Sequence, residues 1–242
     1  DIKTKNNAKF VLFWNNRNIR RKQPGDVILA FKTFRDQLPK EEQNDVLLLM
    51  HTKAVDDNGT DLRVVAKNIA PGCKILFSES IFGIEDLNAM YNVVDVVVNI
   101  ASNEGWGLSS TEALLSGTPI INNVTGGLQD QCGFTDENGD WIRFSQDFST
   151  NHKAKYKNHG SWAKPVFPSN RSIQGSPATP YIFDDRCQYE DVADAMMQWY
   201  NTTPDQRKEF GQAGRQFCLD NGLTSEQMGN KMIEMMDFLL ES

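Results

Sequence analysis

The stretch Asn103-Glu-Gly-Trp-Gly-Leu-Ser-Ser-Thr-Glu-Ala-Leu-Leu-Ser-Gly-Thr-Pro-Ile-Ile121 decides how this chain is read. It follows an apolar run, Asp95 to Ile100, with the composition of a buried strand. It then enters a helix-forming segment, Ser110 to Leu115, stopped by Gly117, and Pro119 to Asn122 resumes strand character. Gly105 and Gly107 let a backbone approach a ligand closely. The first N–H groups of the helix, near Leu108 and Ser109, make a site for an anion such as phosphate. Glu104 and Glu112 stand eight residues apart, one before the turn and one in the first helical turn. Carboxylates repel phosphate, so the pair is suited to accept hydrogen bonds from hydroxyls. A sugar nucleotide supplies hydroxyls on both sides of its diphosphate, on the ribose and on the sugar. Plainer roles remain open: Ser109-Ser-Thr-Glu112 matches a capping box, and Glu104 fits a solvated loop carboxylate.

Outward from this stretch, strand-like and helix-like segments alternate. Phe10 to Trp14, Asp45 to His51 and Lys74 to Ser78 are short β-type runs. Asp26 to Leu38, Asp61 to Ala70 and Glu85 to Asn92 carry apolar stripes at helical spacing. Val-, Ile- and Leu-rich strands alternating with amphipathic helices predict an α/β fold, a Rossmann-like parallel sheet flanked by helices. Such sheets bind ligands past the carboxyl ends of their strands. Residues 133–186 break the pattern. They are rich in Pro, Ser, Asn and Gly, and a structureless loop of that length is improbable in a compact domain. They are expected to be an ordered insertion packed by Trp141, Phe144, Trp162, Phe167, Tyr181 and Phe183. Lys153, Lys155, Lys157 and Lys164 make the segment basic, as a solvated surface or a contact for an acidic acceptor. Three helices are predicted to follow: Tyr189 to Tyr200, one starting at Pro204, and one from about Ser225 to Leu240. The last carries Met228, Met232, Met235 and Met236, either as a core-facing stripe or as an exposed face inviting weak self-association.

The stretch resembles the glutamate–seven-residues–glutamate motif of family 4 retaining glycosyltransferases, which have the GT-B fold. Their usual form is close to Glu-Gly-Phe-Gly-Leu…Glu-Ala…Gly-Thr-Pro-Val-Ile. Glu104, Gly105, Trp106, Gly107, Leu108, Glu112, Ala113, Gly117, Thr118, Pro119 and Ile121 match it or substitute conservatively. Asn16-Arg17 and Lys22 resemble the family's Gly-Arg…Lys segment, which implies Arg17 and Lys22 on the donor diphosphate; Asn16 stands where the family usually has Gly, and a solvated basic turn that includes Arg20 and Arg21 is the alternative. Leu76 to Ile81 followed by Asp86 to Tyr91 resembles the nucleobase segment, implying roles for Ser80 and Ile81; a plain strand-to-helix loop is the alternative. Thr125-Gly126-Gly127 resembles the Gly-Gly loop beside the donor sugar; a simple turn is the alternative.

The resemblance covers roughly residues 10–132 and, loosely, the helices after 189. It implies one nucleotide-sugar-binding domain over 1–242, with core 8–132, insertion 133–186 and C-terminal helices 187–242. It further implies a nucleotide-diphosphate sugar as donor substrate, no cofactor, Glu104 on the sugar, Glu112 on the ribose, and an acceptor-binding amino-terminal lobe that this chain lacks. The opening Asp-Ile-Lys, in place of Met, fits an excised segment. A non-catalytic nucleotide-sugar module, or a GT-B relative such as an epimerase or a phosphorylase, is the competing expectation.

Composition bounds the rest. The chain has 242 residues, 39% hydrophobic and 24% charged, as in ordinary globular proteins. A net charge of −7 argues against a nucleic-acid partner. Cys73, Cys132, Cys187 and Cys218 lack metal or redox spacing. They read as buried or free thiols of a reducing, cytoplasmic compartment. His51, His152 and His159 are scattered, so no metal site is expected.

Overall fold

The apolar runs form strands because both of their faces are covered. The structure, a computed structural model, describes residues 2–142 and 155–241; Phe144, His152 and Lys153 lie outside the described residues. A short helix α1 (Ile2–Asn6) precedes β1 (Phe10–Asn15). The chain continues through α2 (Pro24–Asp36), β2 (Val46–His51), α3 (Leu62–Ile69), β3 (Ile75–Ser78), α4 (Ile84–Val93), β4 (Val96–Asn99), α5 (Leu108–Leu115), β5 (Ile120–Asn123) and α6 (Gly126–Gln131). It ends with β6 (Ala163–Val166), β7 (Asn170–Ser176), β8 (Thr179–Arg186), α7 (Tyr189–Tyr200), α8 (Pro204–Asp220) and α9 (Ser225–Glu241).

Six strands form one parallel sheet in the order β3-β2-β1-β4-β5-β6, with Phe10 opposite Val46 and Leu12 opposite Val96. Alternate side chains of β1 feed two cores. Phe10, Leu12 and Trp14 pack with Val27, Phe31 and Phe34 of α2 and Val192, Met196 and Trp199 of α7. Val11 and Phe13 pack on the other face with Tyr91, Ala113, Leu114 and Cys218. Each of these fully buried side chains contributes about 1.5–3 kcal/mol relative to exposure. The strand order reverses between β1 and β4, and the carboxyl ends of those two strands open the crevice where such sheets take ligands.

Part of the segment 133–186, expected as an insertion outside the strand–helix alternation, joins the main sheet. Ala163–Val166 is the sixth strand, paired with β5. Its Pro165 is tolerated because an edge strand leaves one side unpaired. Trp141 and Trp162 do pack, each against Phe217 with ring centroids 4.8 and 4.7 Å apart, and Phe167 lies by Phe134. Tyr181 and Phe183 do not, being 83% and 48% exposed on the antiparallel β7–β8 hairpin. The Met residues of α9 are exposed, not core-facing, together with Ile233, Phe238 and Leu239. Among the described residues no helix is long and apolar enough to cross a membrane.

Candidate functional site

Two adjoining cavities occupy the carboxyl edge of the sheet at the reversal point. The first, about 400 Å³, is lined by Lys22, Glu104, Trp106, Gly107, Leu108, Ser109 and Glu112, with Asn15, Asn16 and Leu87. The second, about 340 Å³, shares Asn15 and Asn16 and adds Arg17, His51, Ser80, Ile81 and Phe82. Each falls within the size range of small-ligand sites. Most of the residues singled out from the sequence are therefore brought together, although they come from three separate connections, those following β1, β3 and β4.

Three are not at the surface of either cavity. Gly105 is solvent-exposed, with open space where a side chain would stand, so nothing in its surroundings demands glycine. Gly126 and Gly127 support the site from behind. They begin α6, so neither an open loop nor a simple turn is present. The Gly127 N–H donates to the Glu104 carbonyl at 3.1 Å. A Cβ on Gly126 would lie 2.1 Å from that same oxygen, and one on Gly127 would lie 2.5 Å from the Gly105 oxygen. The glycine pair thus lets α6 press against the Glu104 turn.

The predicted capping box does not form. Gly107, at φ +90°, caps α5, and the helix starts at Leu108, two residues earlier than expected. This puts Ser109 inside the first turn, where its hydroxyl accepts from Asn99 Nδ2 at 3.3 Å. The Leu108 and Ser109 amides, at the start of the helix, have no preceding helical carbonyl, and both residues line the first cavity. Glu112 accepts at 2.7 Å from the Tyr91 hydroxyl, which in turn accepts from Asn15 Nδ2 at 2.8 Å. Burial, together with the neighbouring Glu112, pushes the Tyr91 phenol well above its ordinary pKa, so it remains a donor.

Glu104 sits among cations. Lys22 Nζ donates to its Oε2, and Arg21 Nη1 reaches the same oxygen at 3.0 Å and the Asn103 carbonyl at 3.0 Å. Burial lowers the Lys22 pKa despite this pairing. Arg17 lies in the neighbouring cavity and pairs with Asp56 at 3.0 Å. That hydrogen bond is the main cause holding the Asp56 carboxyl at about 2. Asn16, where the resembled family usually has Gly, needs no left-handed backbone: among the described residues only Asn7 and Gln23 have positive φ outside glycine.

Sequence reasoning missed three features. Arg21 counted only as part of a basic turn. Tyr91 is 21 residues from Glu112, a separation that carries no local signal. His51 stacks on Phe82 at 4.4 Å with an interplanar angle of 3°, and both line the second cavity. Among the described residues no group of His, Cys, Asp and Glu is arranged to hold a metal ion.

No family model matches the chain. One curated protein, trehalose synthase of Pyrococcus horikoshii, is 26% identical over 110 residues, covering 44% of this chain and 26% of that protein. Among solved structures, the C-terminal domain of a group 1 family glycosyl transferase from Francisella tularensis superposes with a TM-score of 0.61 at 16% identity, over 90% of this chain and 89% of that one. Sucrose-phosphate synthase from Thermosynechococcus elongatus gives 0.67 at 18% identity, over 100% of this chain and 49% of its own. An Anabaena protein solved in complex with UDP and glucose gives 0.64 at 13% identity, over 98% and 51%. The chain spans about a quarter of the curated relative and about half of the two larger structures. Its six-stranded parallel sheet and flanking helices are the fold of one Rossmann-like lobe of the GT-B glycosyltransferases.

Proposed function

We propose that this chain is the donor-binding lobe of a retaining glycosyltransferase, taking a nucleotide-diphosphate sugar and forming its full active site with a second lobe that carries the acceptor. The observation that carries the proposal is the convergence of Lys22, Glu104, Glu112 and the start of α5 on one cavity at the sheet's reversal point. The diphosphate lies over the Leu108 and Ser109 amides, within reach of Lys22. Arg17 joins it by leaving Asp56. That ion pair is open to solvent on its Arg17 side, with 62% of the side chain accessible, and solvent screening weakens such pairs, so the exchange is weakly opposed. An incoming diphosphate also offers Lys22 and Arg21 a second partner. Glu104 then has acceptor capacity for the sugar hydroxyls, and Glu112 holds the ribose. Ser80 and Ile81 flank the base beside the His51–Phe82 stack.

As the bond to the sugar breaks, negative charge grows on the diphosphate, and cations and amides fixed in advance stabilise it without needing a bound metal. The lobe alone binds donor and transfers little. Titration calorimetry with UDP, GDP and their sugars tests the proposal. Glu112→Ala removes a hydrogen bond to a charged group, worth about 1.5–3 kcal/mol, and weakens the nucleotide roughly ten- to a hundredfold. Arg17→Ala and Lys22→Ala weaken the nucleoside diphosphate but leave the nucleoside unaffected. Unchanged affinity in Glu112→Ala, equal losses for diphosphate and nucleoside, or brisk sugar transfer by the chain alone would each refute it.

A further inference from the structure

Three consecutive residues at the end of β8 reach back to every loop that builds the sugar end of the site. Asp184 Oδ1 accepts from Asn103 Nδ2 at 2.7 Å. The Asp185 N–H donates to the Ser102 carbonyl at 2.8 Å, and its own carbonyl accepts from Asn123 Nδ2 at 2.7 Å. The Asp185 carboxylate accepts from the Thr125 hydroxyl at 2.8 Å and lies 3.6 Å from Arg171 Nε. Arg186 donates to Gln23 Oε1 at 2.6 Å. Ser102 and Asn103 immediately precede Glu104. Asn123 and Thr125 lead into Gly126, which abuts the Glu104 carbonyl. Gln23 directly follows Lys22.

The Asp185 side chain is 1% exposed, although the hairpin that carries it is otherwise open to solvent. A buried carboxylate is costly unless fully hydrogen-bonded. This one serves no apolar core: these partners belong to the two loops that meet at Glu104 and to its own hairpin.

We infer that Asp185 is a positioning residue, the centre of a clasp by which the root of the β7–β8 hairpin sets the Glu104 turn against α6 and so fixes the carboxylate for the donor sugar. The inference rests on the nucleotide-sugar assignment above. The base end of the cleft, at β2 and β3, makes no contact with the clasp among those described, and the Asp185 carboxylate itself bonds Thr125 and faces Arg171 while it is Arg186 that reaches the Lys22 segment, so loss of that carboxylate acts on the sugar end more than on the base and diphosphate.

Calorimetry on the whole chain with UDP against UDP-glucose, and GDP against GDP-mannose, tests this. For the pair that binds, Asp185→Ala keeps the nucleoside diphosphate affinity within about twofold and loses most of the extra affinity conferred by the sugar. Asp185→Asn, which preserves shape and one acceptor, recovers part of that loss. Should Asp185→Ala fail to fold, Thr125→Val removes the donor hydroxyl with little change of shape and gives the same selective loss, smaller in size. An unchanged ratio between sugar-bearing and sugar-free ligand in the variants overturns the clasp alone, as does a wild type that gains nothing from the sugar. Equal losses for both ligands mark a merely structural role and overturn it too. A wild type that binds none of the four ligands overturns the donor-site assignment, and the clasp with it.

Discussion

Substituting Gly126 by alanine isolates how closely α6 must approach the Glu104 turn. The new Cβ would stand 2.1 Å from the Glu104 carbonyl oxygen, so the turn must retreat by roughly 1 Å or more to restore van der Waals separation. Gly126 also has φ +48°, and a left-handed backbone costs a residue with a side chain about 1–2 kcal/mol. Overpacking of this kind adds about 1–3 kcal/mol. Gly72→Ala separates the two costs: Gly72 has φ +78° but open space where its new methyl group would stand, so it carries the backbone cost alone. Gly126→Ala is therefore less stable than Gly72→Ala by about 1–3 kcal/mol, a further drop of roughly 2–12 °C in Tm for a chain of this size. Displacement of about 1 Å at a catalytic group is enough to cost on the order of a hundredfold in rate. The contribution of the sugar to donor affinity falls with it, while Gly72→Ala leaves that contribution intact. Differential scanning calorimetry and titration of UDP against UDP-sugar measure both. If the two variants melt together and bind UDP-sugar alike, the close approach of α6 has no bearing on the site.

Asp130, on α6, has a carboxyl pushed up to about 6 by burial, with Oδ1 buried and lacking a hydrogen-bond partner. A folded-state pKa above the unfolded value means that this group favours the fold below about pH 4 and that the contribution is lost as pH rises through 6. Asp130→Asn removes that dependence and raises stability at pH 7 by on the order of 1–2 kcal/mol, less than the full linkage value because water reaches part of the side chain; a variant as pH-sensitive as wild type between pH 4 and 6 refutes this. Helix α9 exposes Met228, Met232, Met235 and Met236, so ending the chain at residue 224 leaves Tm nearly unchanged and removes any concentration-dependent sedimentation. A large fall in Tm would mean that the helix packs.

The amino-acid sequence by itself determined the alternation of strands and helices, because periodicity at 2 and 3.6 residues records which side of a local segment faces away from water. It located β1 to β5, the helices α7 and α8, and the Glu104 to Glu112 stretch, since glycines, a turn and two carboxylates within ten residues carry their own local logic. The capping box was misread because Gly107 takes the left-handed conformation and starts the helix early, a choice fixed by its contact with α6. Ala-Lys-Pro-Val at 163–166 has no periodic signature and becomes a strand only because β5 offers an open edge. The Tyr91–Glu112 contact and the attachment of Asp185 to Thr125, 60 residues away, likewise arose only on folding. Hydrophobic pattern specifies burial along the chain. Which polar groups meet across the sheet's carboxyl edge depends on strand order, and strand order is set by the non-local packing of the whole domain.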